Sequence, residues 1–304
     1  MSENAKAEPW IPGEHEDDDA KCPVGLVQQA WIESSMLWFV DQFGKDVVMR
    51  DIVPPTRDFL PDPYFGKDHE VADLFFGKMW QRFEPQVRQV LLSLDKAQGE
   101  QGHRKNGARA VGHYQVKDGV PFVWLDPRLA SDLIYLVAVM AHELCHVRLI
   151  GEGRVDPDRK DQERLTDLLT VFFGFGIFTT NVALEFEEAD RRWKAHPIGY
   201  LDEYRLNAAR DNGVRCLGYL DEPEFGYAMA CYAWLRGETY PVWAKHLDPG
   251  PRLYLKQGLD HLSAEARPGE FPTTRQGRVS IRIVSGDPLA SLPLCLRVPR
   301  RDTG

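Results

Sequence analysis

The stretch AHELCHVRLIG, residues 141–151, carries the pattern H-E-x-x-H at His142, Glu143 and His146. It continues an apolar run, LIYLVAVM, that follows Asp132. Together they have the length and composition of one buried helix, and the uncharged residues 144, 145 and 147 fit that burial. On a helix, residues four apart share a face about one turn apart, so His142 and His146 can aim their imidazoles at a single ion. Two ligands do not make a site. Structural zinc is usually closed by four protein ligands, whereas catalytic zinc takes three and leaves a position for water. A third ligand must come from elsewhere in the chain.

The segment QERLTD, residues 162–167, supplies one in Glu163. It is separated from His146 by the loop GEGRVDPDRKD, whose Gly, Pro and Asp residues end the first helix and turn the chain back. A second helix then brings Glu163 beside the two histidines. Asp167, one turn further on, points the same way and is placed to accept the free ring N–H of a ligand histidine. Such carboxylates fix the tautomer and raise ligand basicity.

H-E-x-x-H followed by E-x-x-x-D on a second helix resembles the gluzincin metallopeptidases, both the thermolysin-like enzymes and the minigluzincin-like smaller ones. The resemblance covers roughly residues 110–170 and rests on His142, Glu143, His146, Glu163 and Asp167. It implies that His142, His146 and Glu163 bind Zn2+, that Glu143 is the catalytic general base activating a zinc-bound water, and that Asp167 orients a histidine. Two features depart from the family. Arg148 stands where its longer pattern prefers an apolar residue, and no Tyr or His is marked by spacing as the oxyanion stabiliser. Four candidates in the C-terminal half, His196, Tyr200, Tyr219 and Tyr227, remain open for that role, with Tyr114 as a fallback.

Just upstream, ARAVGHYQVKDGVPFVWLD reads as two strands around Lys117-Asp118-Gly119, and Asp-Gly is a strong hairpin signal. A hairpin here serves either to cover the core or to offer a strand edge to an extended peptide, which pairs through main-chain hydrogen bonds. His113 and Tyr114 are in reach of the cleft in either case, without being assigned to catalysis.

Composition bounds the remaining possibilities. With 43% hydrophobic and 27% charged residues in 304, the chain is that of a globular protein with a sizeable core. A net charge of −9 argues against a broad nucleic-acid footprint, which needs a basic face. The five cysteines, Cys22, Cys145, Cys216, Cys231 and Cys295, include no C-x-x-C pair and imply no disulfide framework. Cys145, between the two histidines, reads as a small buried thiol. The polar, acidic N-terminus is the reverse of a signal peptide, and the expected location is cytoplasmic. The uncharged run LLTVFFGFGIFTTNVAL, residues 168–184, approaches membrane-spanning length. Its threonines, its asparagine and its place directly after Asp167 instead suggest a helix buried behind the metal site, with Gly174 and Gly176 allowing close contact.

The fold expected from these features is α+β and mostly helical, with a zincin-like core, a β-hairpin or small sheet packed on the active-site helix, and additional flanking helices. Residues 1–22 read as a disordered acidic N-terminus and 23–105 as a helical flank. Residues 106–266 read as the core with its C-terminal helices, where Asp202 and Asp221 mark helix starts, and 267–304 as a loosely ordered tail. Two functional readings stand. One is a zinc-dependent metallopeptidase acting on a peptide or protein substrate. The other is a catalytically inactive or regulatory zincin-fold protein that binds a partner and keeps zinc for stability.

Overall fold

The computed structural model describes residues 21–60, 68–94, 112–185, 215–216, 219–266 and 270–271. Their architecture is α+β and mostly helical. The central helix, α4 (Leu133–His146), follows β3 (Val120–Leu125) and a short 3-10 turn. Asp132 starts it, its carboxylate accepting from the N–H groups of Ile134 and Tyr135, which would otherwise be unpaired at a helix N-terminus. Between Leu136 and His146 every residue except His142 is buried. A helix apolar on all sides belongs inside a core. One stretch, Leu133–Gly151, is long and apolar enough to cross a membrane by length and composition, and it lies mostly within the protein.

Among the described residues the sheet has three strands in the order β1 (Leu91–Leu94), β3, β2 (Gly112–Lys117), with β1 parallel and β2 antiparallel to β3. The turn between β2 and β3 has positive φ at both Asp118 and Gly119, the backbone that an Asp-Gly hairpin turn demands. Register pairs Gly112 with Leu125, His113 with Trp124 and Tyr114 with Val123. Val123 and Leu125 point into the core, and among the described residues β2 is an edge strand of the sheet, packed against α4.

Around α4 stand α1 (Leu26–Phe43), the short α2 (Lys45–Val48), α3 (Asp68–Phe83), α5 (Gln162–Phe172), α6 (Gly176–Asn181), α7 (Glu222–Leu235) and α8 (Pro249–Glu265). A two-residue pairing, β4 (Leu184–Glu185) with β5 (Arg215–Cys216), completes the regular structure described. Asp221 marks a helix start as the sequence suggests. It does so through a capping box with Glu224, each side chain bonding the other residue's backbone N–H. Asp202 lies outside the described residues. Phe225, Met229, Tyr232 and Ala233 of α7 are fully buried, and the apolar core runs without interruption from Trp31 to Phe271. Each fully buried Phe or Leu contributes roughly 1.5–3 kcal/mol relative to an exposed one.

Two expectations need correction. The uncharged run 168–184 is not one helix: α5 ends at Phe172, Gly174 turns the chain at φ +86, and α6 starts afresh at Gly176. Left-handed backbone at Gly174 lets its carbonyl accept from Val53, and a side chain there would meet Arg82. The tail expected to be loose from 267 is docked at residues 270–271, where Phe271 is fully buried and Glu270 accepts a 2.7 Å hydrogen bond from the Trp234 indole. The remainder of that tail and the N-terminus up to residue 20 lie outside the described residues.

Candidate metal centre

Helix α5 runs against α4, and the pair presents His142, His146 and Glu163 to one point. The Nε2 atoms of His142 and His146 are 3.1 Å apart, and Glu163 Oε2 lies 3.1 Å from the first and 3.5 Å from the second. Three ligands at tetrahedral angles and zinc distances of 2.0–2.1 Å would stand about 3.3 Å from one another. The observed edges match that figure. At most one proton fits between two ring nitrogens this close, whereas a cation is held by both lone pairs. The donor set therefore fits a tetrahedral ion with one further position to fill, and two imidazoles with a carboxylate suit zinc.

The far side of each imidazole is occupied. Nδ1 of His142 lies 2.8 Å from Asp167 Oδ1, as the sequence suggests. The other oxygen of Asp167 accepts from the backbone N–H groups of Tyr219 and Leu220, so this carboxylate ties the metal helix to the start of α7. Nδ1 of His146 lies 2.7 Å from the Gln162 carboxamide, whose nitrogen faces the ring and whose oxygen accepts from Nδ1 once the amide is turned over, with the Thr166 hydroxyl at 3.4 Å. A histidine bound through Nε2 carries its proton on Nδ1 and donates it to such a group. Sequence reasoning missed Gln162 and Thr166. Their signal was present, because residues 162, 163, 166 and 167 share one face of a helix that already held Glu163 and Asp167.

Glu163 is fixed from behind. The indole of Trp31 donates to Asp161 at 2.8 Å, and Arg159 pairs with the same carboxylate at 2.6 Å. On the other side, Arg164 stacks over Trp31 at 5.0 Å and pairs with Glu224 at 2.6 Å. Residues 161 and 164 are thus anchored to α1 and α7, which holds the first turn of α5 at the metal centre. Among the charged groups, burial opposes ionisation of His142, yet its hydrogen bonds to Asp167 and Glu163 push it up to about 10. Burial also opposes the charge of Glu163, but contact with His142 and His146 holds its carboxyl well below the usual carboxylate range.

Glu143 lies beside the cluster and outside it, 5% exposed, with Oε2 free of any hydrogen-bond partner among the described residues. Burial raises its carboxyl above the ordinary value, in the direction of a proton acceptor poised nearer neutrality. Water or a ligand completes the bonding of such an oxygen, and the Tyr114 hydroxyl, beside His146, is among the other buried polar atoms in the same position. Cys145 is fully buried and does not join the ligands; burial pushes its thiol well above the ordinary value.

Arg148 is accommodated despite its charge. It is buried, paired with Glu152 at 2.7 Å, and its guanidinium sits 5.0 Å over the ring of Phe43 and 5.6 Å over that of Phe173. The stretch Val147–Gly151 widens into a π turn, a feature frequent near functional sites. Tyrosine rings flank both ligand histidines: Tyr114 stacks on His146 at 5.9 Å and Tyr219 on His142 at 6.1 Å. Of the four oxyanion candidates, His196 and Tyr200 lie outside the described residues. Tyr227 is fully buried and donates to Glu33, leaving Tyr219, 39% exposed, at the centre. His113 is exposed on β2 and stacks with Trp124.

No family model, curated protein or solved structure matches this chain. The functional reading rests on its own residues.

Proposed function

We propose that this protein is a zinc-dependent metallopeptidase of gluzincin type, with His142, His146 and Glu163 as ligands and Glu143 as general base. The observation that carries the reading is the convergence of three ligand atoms at 3.1–3.5 Å from one another, with a buried carboxylate oxygen that has no partner among the described residues on the residue directly after the first of them. Zinc held by His142, His146 and Glu163 would supply Lewis-acid chemistry, polarising a substrate carbonyl and lowering the pKa of water to about 7. Glu143 takes the proton of the attacking water and returns it to the leaving amine. Asp167, and Gln162 with its carboxamide oxygen turned to the ring, hold the two imidazoles in the tautomer that leaves Nε2 free for the ion. Tyr219, beside His142 and open to solvent, is our candidate for sharing the negative charge that builds on the carbonyl oxygen. The edge strand β2 offers main-chain groups to an extended peptide.

Metal content by plasma mass spectrometry tests the first half. One zinc per chain is expected in protein purified without chelator and its loss in Glu163→Ala. Hydrolysis of a peptide library tests the second. Glu143→Gln should keep zinc and lose turnover by about 10²–10⁴-fold. Zinc retained by Glu163→Ala sinks the three-ligand site. Stoichiometric zinc with no cleavage of any peptide favours the regulatory, partner-binding reading.

A further inference from the structure

Strand β2 begins with Gly112, whose missing side chain leaves room for part of the machinery on α4. A Cβ built at that position would lie 2.6 Å from Glu143 Oε1, 3.1 Å from Glu143 Cγ and 2.5 Å from Val139 Cγ1. Real Cβ contacts essentially never fall under 3.0 Å. The carboxylate of Glu143 thus fills the space that any larger residue at 112 would occupy. The strand gives way least, since Gly112 is held by its pairing with Leu125, itself buried, so a Cβ at 112 would push aside the far end of the Glu143 side chain.

We propose that Gly112 is a positioning residue that aims Glu143, resting on the reading of Glu143 as the base. The geometry makes strand and base a single device. The same edge strand that offers itself to an extended substrate also walls the carboxylate on one side, so its free oxygen, Oε2, keeps a fixed direction. Misplacing a reacting group by about 1 Å costs on the order of 100-fold in rate, so a single methyl group here reaches the chemistry.

The test is a double-mutant cycle in a Val139→Ala background, which removes the neighbouring clash and leaves Glu143 as the contact in question. The probe is acetohydroxamate, which chelates zinc and shares a proton with an adjacent carboxylate, so no substrate is needed. Its affinity for zinc-loaded protein is measured by calorimetry beside metal content. Gly112→Ala should retain one zinc per chain and weaken acetohydroxamate about tenfold, while adding it to Glu143→Ala should change nothing more. An equal loss in both backgrounds, or none in either, overturns the positioning role and leaves Glu143 as the base untouched. Equal affinity of Glu143→Ala and its parent, or a parent without zinc, overturns the reading of Glu143 and the role of Gly112 with it. Should Gly112→Ala fail to fold, recovery on adding Glu143→Ala upholds the contact as the cause, and no recovery overturns it.

Discussion

Two buried carboxylates, Glu33 on α1 and Glu143 on α4, are kept in opposite company. Glu33 is fully buried and saturated: it accepts from the Gln29 carboxamide at 2.9 Å and from the Tyr227 hydroxyl at 2.6 Å, and Gln29 in turn contacts His261 of α8 at 3.1 Å. Glu143 is almost as buried, but one of its oxygens has no partner among the described residues, and the ligand atoms of His142, His146 and Glu163 beside it converge on one point. Burial alone therefore does not single out a functional group. A saturated buried carboxylate clamps elements together, here α1 to α7 and through Gln29 to α8. An unsaturated one costs stability that only a ligand or a reaction repays.

The strongest challenge to this contrast is Glu33→Ala. Removing the shared acceptor strands a hydroxyl and an amide in the core and opens a cavity, and should lower unfolding free energy by about 3 kcal/mol in a denaturant titration. Zinc content should not change. A variant as stable as the parent would show that the cluster on α1 clamps nothing.

Next in size is Asp167→Ala. This carboxylate serves both worlds, holding the ring of His142 and accepting from the backbone of residues 219 and 220. Chelator competition should register a zinc affinity lower by about 10–100-fold. Unaltered affinity would mean that the tautomer of His142 is set by something other than Asp167. Tyr227→Phe is smaller and confined to the clamp. Loss of one hydrogen bond to a buried carboxylate should cost about 1.5 kcal/mol, read from the same denaturant titration, with metal binding intact.

The two regions also differ in how far they were legible in the sequence. The candidate metal centre is legible because its residues recur at helical spacing: His142 with His146 and Glu163 with Asp167 each lie four apart, and a Gly- and Pro-rich loop joins the two helices. The hairpin was equally plain from Asp118-Gly119. Gln162 and Thr166 were readable by the same rule and were overlooked. Nothing local, by contrast, pairs Glu33 with Tyr227 or seats Arg148 between Phe43 and Phe173, since these contacts join segments brought together only by the packing of α1, α5 and α7. The break of the apolar run at Gly174 escaped for a related reason. A continuous apolar stretch looks alike whether it is one buried helix or two, and here the turn is decided by Val53 and Arg82, more than ninety residues earlier in the chain.

The smallest effect has the most telling sign. The folded protein raises the carboxyl of Glu143 through burial, which means it binds that proton more tightly than the unfolded chain does. At neutral pH the ionised group therefore works against folding. Glu143→Gln, which keeps the shape and removes the charge, should stabilise the metal-free protein by about 1 kcal/mol, seen as a higher melting temperature in the presence of chelator. The same substitution is expected to cut turnover by about 10²–10⁴-fold, so stability and activity should move in opposite directions at this residue. At Glu33 no such exchange is available, because every change there removes a satisfied partner. A lower melting temperature for Glu143→Gln would place Glu143 among the clamps and remove the ground for treating its free oxygen as a sign of chemistry.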